Sequence, residues 1–153
     1  MVECRPQHVR ILLAEDDDGH AELIVEHLRD VGITNPIRRF RDGDEVWQYL
    51  TDQNSSEGVD QHCLLLLDIR MPRLDGTEVL RRIKADETLR SLPVIMLTTT
   101  DDPREIERCY ALGCNAYVTK PIEFAAFSEA LRRLGLFLMV VRLPKGPGTE
   151  DSP

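Results

Sequence analysis

Asp68 is the side chain in this sequence that is best placed to do chemistry. It follows the apolar run CLLLL at 63–67 and precedes a loop that contains Pro72 and Gly76. A short apolar run of this kind predicts a strand that is buried on both faces. Open α/β sheets bind ligands in the crevice at the carboxyl ends of parallel strands, so a carboxylate there is accessible to a ligand. The alternative is that Asp68 caps the helix that follows it.

Three other predicted strands also end in polar side chains. These side chains are Glu15 and Asp16 after the run at 9–14, Thr98 after the run at 94–97, and Lys120 after the run at 116–118. Carboxylate oxygens are ligands that Mg²⁺ prefers. An ammonium can hold an anionic oxygen and a hydroxyl can donate to another, so the set suits transfer of a phosphoryl group onto Asp68. Taken singly, each residue also fits a solvated loop, a strand former or a turn.

Alternating strands and helices must position these side chains. Apolar runs predict five strands, at 9–14, 37–40, 63–67, 94–97 and 116–118. Apolar residues at helical spacing predict five helices, at 21–31, 42–50, 76–85, 102–112 and 122–138. A polar loop is predicted at 51–60. Short connections between alternating elements imply an α/β fold, in which a doubly wound sheet of five parallel strands has helices on both faces.

Size and charge restrict the classes of function. With 153 residues, 42% of them hydrophobic and 30% charged, the chain fits one globular domain at 9–138, with a tail at 1–8 and an extension at 139–153 that is apolar and then disordered. The net charge of −8, with basic residues scattered among acids, argues against a nucleic-acid partner. The sequence has neither a spanning apolar stretch nor a secretory signal, so we predict a cytoplasmic protein without a membrane partner.

These residues lie in motifs that resemble response-regulator receiver domains of bacterial two-component signalling, over 10–138. The four motifs are ILLAEDD at 11–17, DIRMPRLDG at 68–76, VIMLT at 94–98 and YVTKP at 117–121. The resemblance implies a flavodoxin-like receiver fold and a phosphoacceptor rather than an enzyme. It also implies that the Lys120–Pro121 bond is cis.

The resemblance implies a role for each site residue. Asp68 is the implied phosphoacceptor, and the implied ligands of Mg²⁺ are Glu15, Asp16, Asp68 and the backbone carbonyl of Arg70. The implied switch hydroxyl, switch aromatic and phosphate-binding lysine are Thr98, Tyr117 and Lys120.

Three positions depart from the usual family pattern. Glu15 replaces the commoner Asp, which lengthens the reach to the metal by one methylene. Thr99 stands where a smaller residue is usual, and Arg70 carries a long side chain two positions after Asp68. We expect the last two departures to slow the access of water to a phosphoryl group.

The second half of the chain also resembles a subfamily. The segments 86–92, 108–117 and 134–138 resemble stand-alone regulators that are paired with bacterial phytochrome histidine kinases, and no output domain is predicted after them. The six apolar residues at 136–141 exceed the single stripe that a helix can bury on its sheet. We therefore predict a homodimer formed by the last helix and the extension. The alternative is that this segment folds back over its own sheet edge.

Three other functions compete with a kinase-driven regulator. A small Mg²⁺-dependent phosphohydrolase of the haloacid dehalogenase type also needs a strand-end aspartate, a Thr and a Lys, and Asp16 to Asp18 supply its D-x-D motif. That family requires Thr or Val soon after the second Asp, whereas this chain has Gly19 and then an apolar helix. The others are a phosphate sink in a phosphorelay and an interaction module that has lost phosphorylation, although every phosphoryl-site position is occupied by a competent residue.

Overall fold

Five strands alternate with five helices along the chain. The computed structural model describes residues 9–30, 32–52, 63–99 and 102–133, without the side chain of Phe124. The strands are β1 (Arg10–Ala14), β2 (Ile37–Phe40), β3 (Cys63–Asp68), β4 (Val94–Thr98) and β5 (Ala116–Thr119). The helices are α1 (Asp18–Asp30), α2 (Gly43–Thr51), α3 (Gly76–Ala85), α4 (Pro103–Leu112) and α5 (Phe124–Arg133).

All strand pairs in the sheet are parallel, and the strand order is β2-β1-β3-β4-β5. The doubly wound, five-stranded α/β fold predicted from the sequence is therefore confirmed. The register aligns the carboxyl ends of the strands, since the partners there are Ala14 with Leu67, Asp68 with Leu97, and Thr98 with Thr119. Polar residues at these strand ends consequently share one edge of the sheet.

The leucine run of β3 separates two hydrophobic cores. Leu64 and Leu66 pack with residues of α1 and α5 in one core, which we call the α1/α5 core. Leu65 and Leu67 pack with residues of α2, α3 and α4 in the other, the α2–α4 core. Successive side chains of a strand point to opposite faces, so an unbroken apolar run is needed where both faces are covered.

Aspartates begin three of the helices. Asp42, Asp75 and Asp102 are the N-cap residues of α2, α3 and α4, and each side chain accepts a hydrogen bond from a backbone N–H of the first turn. Such caps satisfy backbone donors that have no partner within the helix. Because α3 is capped by Asp75, the alternative in which Asp68 caps that helix is wrong, and Asp68 is free for another role.

Several element boundaries differ from the sequence prediction, and the first helix, for example, begins at Asp18 rather than 21. Thr51 belongs to α2, and its hydroxyl donates to the carbonyl of Trp47 at 3.0 Å. The last helix begins at Phe124 rather than 122, because its first turn is closed by the N–H of Phe127 donating to the carbonyl of Glu123 at 3.0 Å. Phe127, Ala130 and Leu131 form the buried face of this helix.

Several predicted features lie outside the described residues. They are the tail at 1–8, most of the loop at 51–60, the end of the last helix and the extension after it. Among the residues that the structure describes, none belongs to a helix long and apolar enough to cross a membrane.

Gly76 has no space for a side chain. Its N–H donates to the carbonyl of Ile69 at 2.7 Å, and a Cβ on it would lie 2.1 Å from the carbonyl oxygen of Asp68. We expect Gly76→Ala to lower the free energy of unfolding by about 2–3 kcal/mol, because either α3 or the end of β3 must move. Urea unfolding measures this change.

The matched control is Gly19→Ala in α1, where a Cβ would meet only the side-chain oxygen of Asp17, at 3.2 Å. This control should change the free energy of unfolding by no more than about 1 kcal/mol, since alanine is the better helix former and only one side-chain oxygen has to shift. Equal destabilisation by the two substitutions would contradict the packing argument.

Candidate functional site

Three carboxylates meet at the carboxyl edge of the sheet. Glu15 follows β1 directly, Asp16 is next to it, and Asp68 is the last residue of β3. One oxygen from each lies within 4.8 Å of the others. Glu15 and Asp68 are buried, at 1% and 6% exposed, whereas Asp16 is exposed. This is an acidic cluster with one side open to solvent.

Lys120 lies between the two buried carboxylates. Its ammonium is 2.5 Å from Oε1 of Glu15 and 3.4 Å from Oδ1 of Asp68, and its side chain is 8% exposed. The N–H of Lys120 donates to the carbonyl of Thr98 at 2.8 Å, which ties the end of β5 to the end of β4. The bond to Pro121 is cis, as the family resemblance implied. The lysine therefore reaches the acidic cluster from the opposite side of the crevice.

The charge balance of the cluster favours protonation of Asp68. Burial and, to a smaller extent, the nearby Glu15 carboxylate raise the pKa of its carboxyl to about 6, although Lys120 opposes both effects. The carboxylate of Glu15 disfavours the charged form of Asp68, and the ammonium between them offsets only part of this repulsion. A cation bound at the cluster would favour the ionised form.

The donor set fits a hard divalent cation. All three clustered side chains offer carboxylate oxygens, the chemistry that Mg²⁺ requires. The fourth predicted ligand is the carbonyl of Arg70. The residue before it, Ile69, is held by two backbone hydrogen bonds: its N–H donates to the carbonyl of Leu97 at 3.3 Å, and its carbonyl accepts from the N–H of Gly76. The Arg70 side chain is 75% exposed, and its guanidinium lies 3.6 Å from the carboxylate of Glu105 in α4. The ligand role of the Arg70 carbonyl stays a prediction.

Arg39 of β2 holds the loop that carries the acidic pair, a role that the sequence pattern did not reveal. It donates to the carbonyl of Glu15 from Nε at 3.1 Å and from Nη2 at 2.8 Å. Its Nη1 lies 2.6 Å from Asp18, and Arg41 lies 2.7 Å from the same oxygen. Asp18 therefore pairs with arginines, which argues against its use as the second acid of a D-x-D phosphohydrolase motif.

His20 is a second site residue that the sequence pattern missed. Its Nδ1 is 3.3 Å from Nζ of Lys120 and 3.9 Å from Oε2 of Glu15. The backbone N–H of His20 donates to Oδ1 of Asp17 at 2.9 Å, so Asp17 orders the start of α1. His20 and Lys120 also line a groove of about 210 Å³ between α1 and the loop after β5, where Thr99 forms part of the wall.

The two predicted switch residues lie beside the cluster on adjacent strands. Thr98 ends β4 and is 1% exposed. Tyr117 lies in β5, opposite Met96, and packs against the α2–α4 core while remaining half-buried. The two residues lie on neighbouring strands, with Thr98 at the carboxyl end of β4, and their roles in switching stay predictions.

Comparisons with known proteins find one family. A family model described as the response regulator receiver domain matches residues 11–132. A curated relative, the probable methanogenesis regulatory protein FilR2 of Methanothrix harundinacea, is 34% identical and is aligned over 90% of this chain and 88% of its own length.

Two solved structures resemble this fold along nearly their whole length. The bacteriophytochrome response regulator AtBRR is 35% identical, with a TM-score of 0.73 over 89% of this chain and 96% of that one. A response regulator in red light signaling of R. palustris is also 35% identical, with a TM-score of 0.69 over 90% of this chain and 99% of that one.

Asp68→Asn should stabilise the metal-free protein in a pH-dependent way. The pKa of Asp68 is about 6 in the folded state against 3.8 ordinarily, so between these values the folded state binds the proton more tightly than the unfolded state. The ionised carboxyl therefore destabilises the fold fully above about pH 6, and the effect is relieved as the pH falls. The neutral amide should raise the free energy of unfolding by about 1–3 kcal/mol at pH 8, and by less at pH 5.

Urea unfolding of both proteins in EDTA, at intervals from pH 5 to pH 8, measures the difference. A difference that stays constant across this range would contradict the raised pKa of Asp68.

Proposed function

This chain belongs to the family of response regulator receiver domains, and from that membership we propose that it signals by accepting a phosphoryl group on Asp68 from a histidine kinase. The observation that carries the proposal is the position of Asp68 at the end of β3, inside an acidic cluster and 3.4 Å from the ammonium of Lys120. A carboxylate nucleophile with a cation on each side is the arrangement that phosphoryl transfer requires.

The transfer is a displacement at phosphorus. An oxygen of Asp68 forms a bond to the phosphorus of a phosphohistidine, the bond from phosphorus to the imidazole nitrogen breaks, and its electron pair returns to the imidazole. Lys120 holds one oxygen of the incoming group, for which it leaves Glu15. Glu15, Asp16, Asp68 and the carbonyl of Arg70 would hold Mg²⁺, which supplies positive charge for the phosphoryl oxygens.

Thr98 and Tyr117 carry the signal away from Asp68 in this proposal. The hydroxyl of Thr98 turns toward a phosphoryl oxygen, and Tyr117 moves into the space that this leaves. The change biases α4, β5 and α5 between two arrangements, and a partner protein recognises one of them. Support comes from the burial of Thr98 at the end of β4 and from the place of Tyr117 on the neighbouring strand β5, where it packs against the α2–α4 core.

The proposed phosphodonor is a phytochrome-type histidine kinase. Support comes from the likeness to AtBRR and to the red-light regulator of R. palustris. The similar identity to FilR2, a probable regulator of methanogenesis, means that sequence likeness alone does not define the input signal. The test is the rate of phosphotransfer to this protein from a purified bacteriophytochrome kinase and from a kinase of another input class at equal concentration. Faster transfer from the bacteriophytochrome kinase supports the proposed phosphodonor, and faster transfer from the other kinase contradicts it.

The protein is also proposed to form a homodimer through its last helix and the extension. Support comes from the sequence, in which six apolar residues at 136–141 follow a helix whose inward stripe, Phe127, Ala130 and Leu131, is already buried. A further apolar surface of this size is more stable when a second copy covers it.

Asp68→Asn should abolish phosphoryl uptake, because the amide keeps the shape of the side chain but is not a nucleophile. Intact-mass spectrometry after incubation with acetyl phosphate and Mg²⁺ measures the uptake. The matched control is Asp75→Asn, a carboxylate of the same loop whose side chain caps α3 instead of joining the cluster.

The control protein should gain one phosphoryl group, and EDTA should block the gain in the wild type. Uptake by Asp68→Asn equal to that of the wild type would show that another residue is the phosphoacceptor. Uptake that is insensitive to EDTA would contradict the metal requirement.

Truncation after Gly135 should give a monomer that still takes up phosphoryl groups on Asp68, because the apolar segment at 136–141 is removed and the site is left intact. Truncation after Arg142 is the control, since it keeps that segment and should remain dimeric. Light scattering at tens of micromolar protein measures both. A monomeric full-length protein, or a dimeric Gly135 truncation, would exclude the proposed interface.

A further inference from the structure

The ammonium of Lys120 has three hydrogen-bond acceptors around it in the described part of the chain. They are Oε1 of Glu15 at 2.5 Å, Nδ1 of His20 at 3.3 Å and Oδ1 of Asp68 at 3.4 Å. A lysine ammonium has three N–H donors and no acceptor, so this arrangement offers one acceptor for each donor. In this geometry the Nδ1 of His20 accepts a hydrogen bond, which leaves the ring proton on Nε2.

The proposed function requires Lys120 to give up its shortest contact. Glu15 is a proposed ligand of Mg²⁺, and a divalent cation and an ammonium repel each other when they share one carboxylate. Lys120 is also nearly buried, at 8% exposed, so a donor that leaves Glu15 gains little from bulk water. A buried ammonium with an unpaired donor is unfavourable, and this cost opposes metal binding.

We propose that His20 is a positioning residue for Lys120: its Nδ1 keeps the ammonium hydrogen-bonded at the mouth of the crevice, so that Glu15 is released to a divalent cation. The inference rests on the proposed function, because it assumes a cation at the acidic cluster. His20 does not bind the cation or the phosphoryl group in this arrangement. It acts only through Lys120.

The local structure holds His20 in place for this role. Oδ1 of Asp17 accepts a hydrogen bond from the backbone N–H of His20. The backbone N–H of Asp17 in turn donates to Oε2 of Glu15 at 3.2 Å. The loop that carries the acidic pair therefore also fixes the residue that faces the lysine. The His20 side chain is 47% exposed, so it can be replaced without opening a core cavity.

The test compares two substitutions of similar size and shape, of which only one retains a hydrogen-bond acceptor. His20→Asn places an amide oxygen, a hydrogen-bond acceptor, where Nδ1 stands, and His20→Leu places a methyl group there. Isothermal titration calorimetry of the full-length proteins with MgCl₂, without any phosphodonor, measures the affinity. We expect His20→Leu to weaken Mg²⁺ binding about tenfold, the effect of one lost hydrogen bond to a charged group, and His20→Asn to bind within about twofold of the wild type.

A second pair of measurements shows whether the effect passes through Lys120. In a Lys120→Met background there is no ammonium to hold, so adding His20→Leu should not change Mg²⁺ affinity further. Equal affinities for the wild type and the two single variants would overturn the proposal. So would equal weakening by Leu and Asn, or a loss that persists in the Lys120→Met background, since both outcomes would mean that His20 acts through its bulk or directly on the metal.

The outcome is distinguishable from a failure of the proposed function. Calorimetry reports cation binding whether or not Asp68 takes up a phosphoryl group. If the wild type is phosphorylated on Asp68 but His20→Leu and His20→Asn bind Mg²⁺ with equal affinity, this inference alone is refuted.

Discussion

Lys120 holds two buried carboxylates that would otherwise repel each other, and the geometry of the whole crevice depends on this interaction. Glu15 comes from the end of β1, Asp68 from the end of β3 and Lys120 from the end of β5. The contacts of 2.5 and 3.4 Å therefore tie three separate strands at one edge of the sheet. Removing Lys120 would leave two buried carboxylates without compensation, which costs several kcal/mol.

The compensation is incomplete, and this is a functional property. One ammonium cannot neutralise two carboxylates, and the pKa of Asp68 is accordingly raised to about 6 by its burial and by Glu15. The crevice is thus less stable without a cation than with one, so binding of a cation is favoured by the relief of repulsion. Sites that hold unfavourable charge in this way lower the stability of the cation-free protein and strengthen the binding of a cation.

The rest of the fold supplies the rigidity that such a site requires. The leucines of β3 are buried on both faces, which fixes the strand that ends in Asp68. Gly76 lets the start of α3 approach the carbonyl of Asp68 more closely than any side chain would allow. On the other side of the crevice, Arg39 binds the carbonyl of Glu15 through two nitrogens. The backbone at both acids is therefore held in place.

The sequence by itself determined the fold and the meeting of Glu15, Asp68 and Lys120. The spacing of the apolar residues, and the Gly, Pro and Asp residues between them, predict the strands and helices. Parallel strands with short connections must end at one edge of a sheet. A residue that directly follows such a strand therefore reaches the crevice whatever the details of packing are. Apolar residues at helical spacing predicted the last helix, although its first turn was placed two residues too early.

Only the tertiary structure decided which other side chains reach the site. Arg39 is one of several arginines near β2, and its contact with Glu15 depends on the position of β2 beside β1. His20 lies on a helix, where its distance from Lys120 depends on how α1 packs against the sheet. Arg70 faces Glu105 across the gap between a loop and α4. Strand periodicity states where a strand residue points, but the direction of a long side chain on a loop, helix or edge strand is set by neighbours that are distant in the sequence.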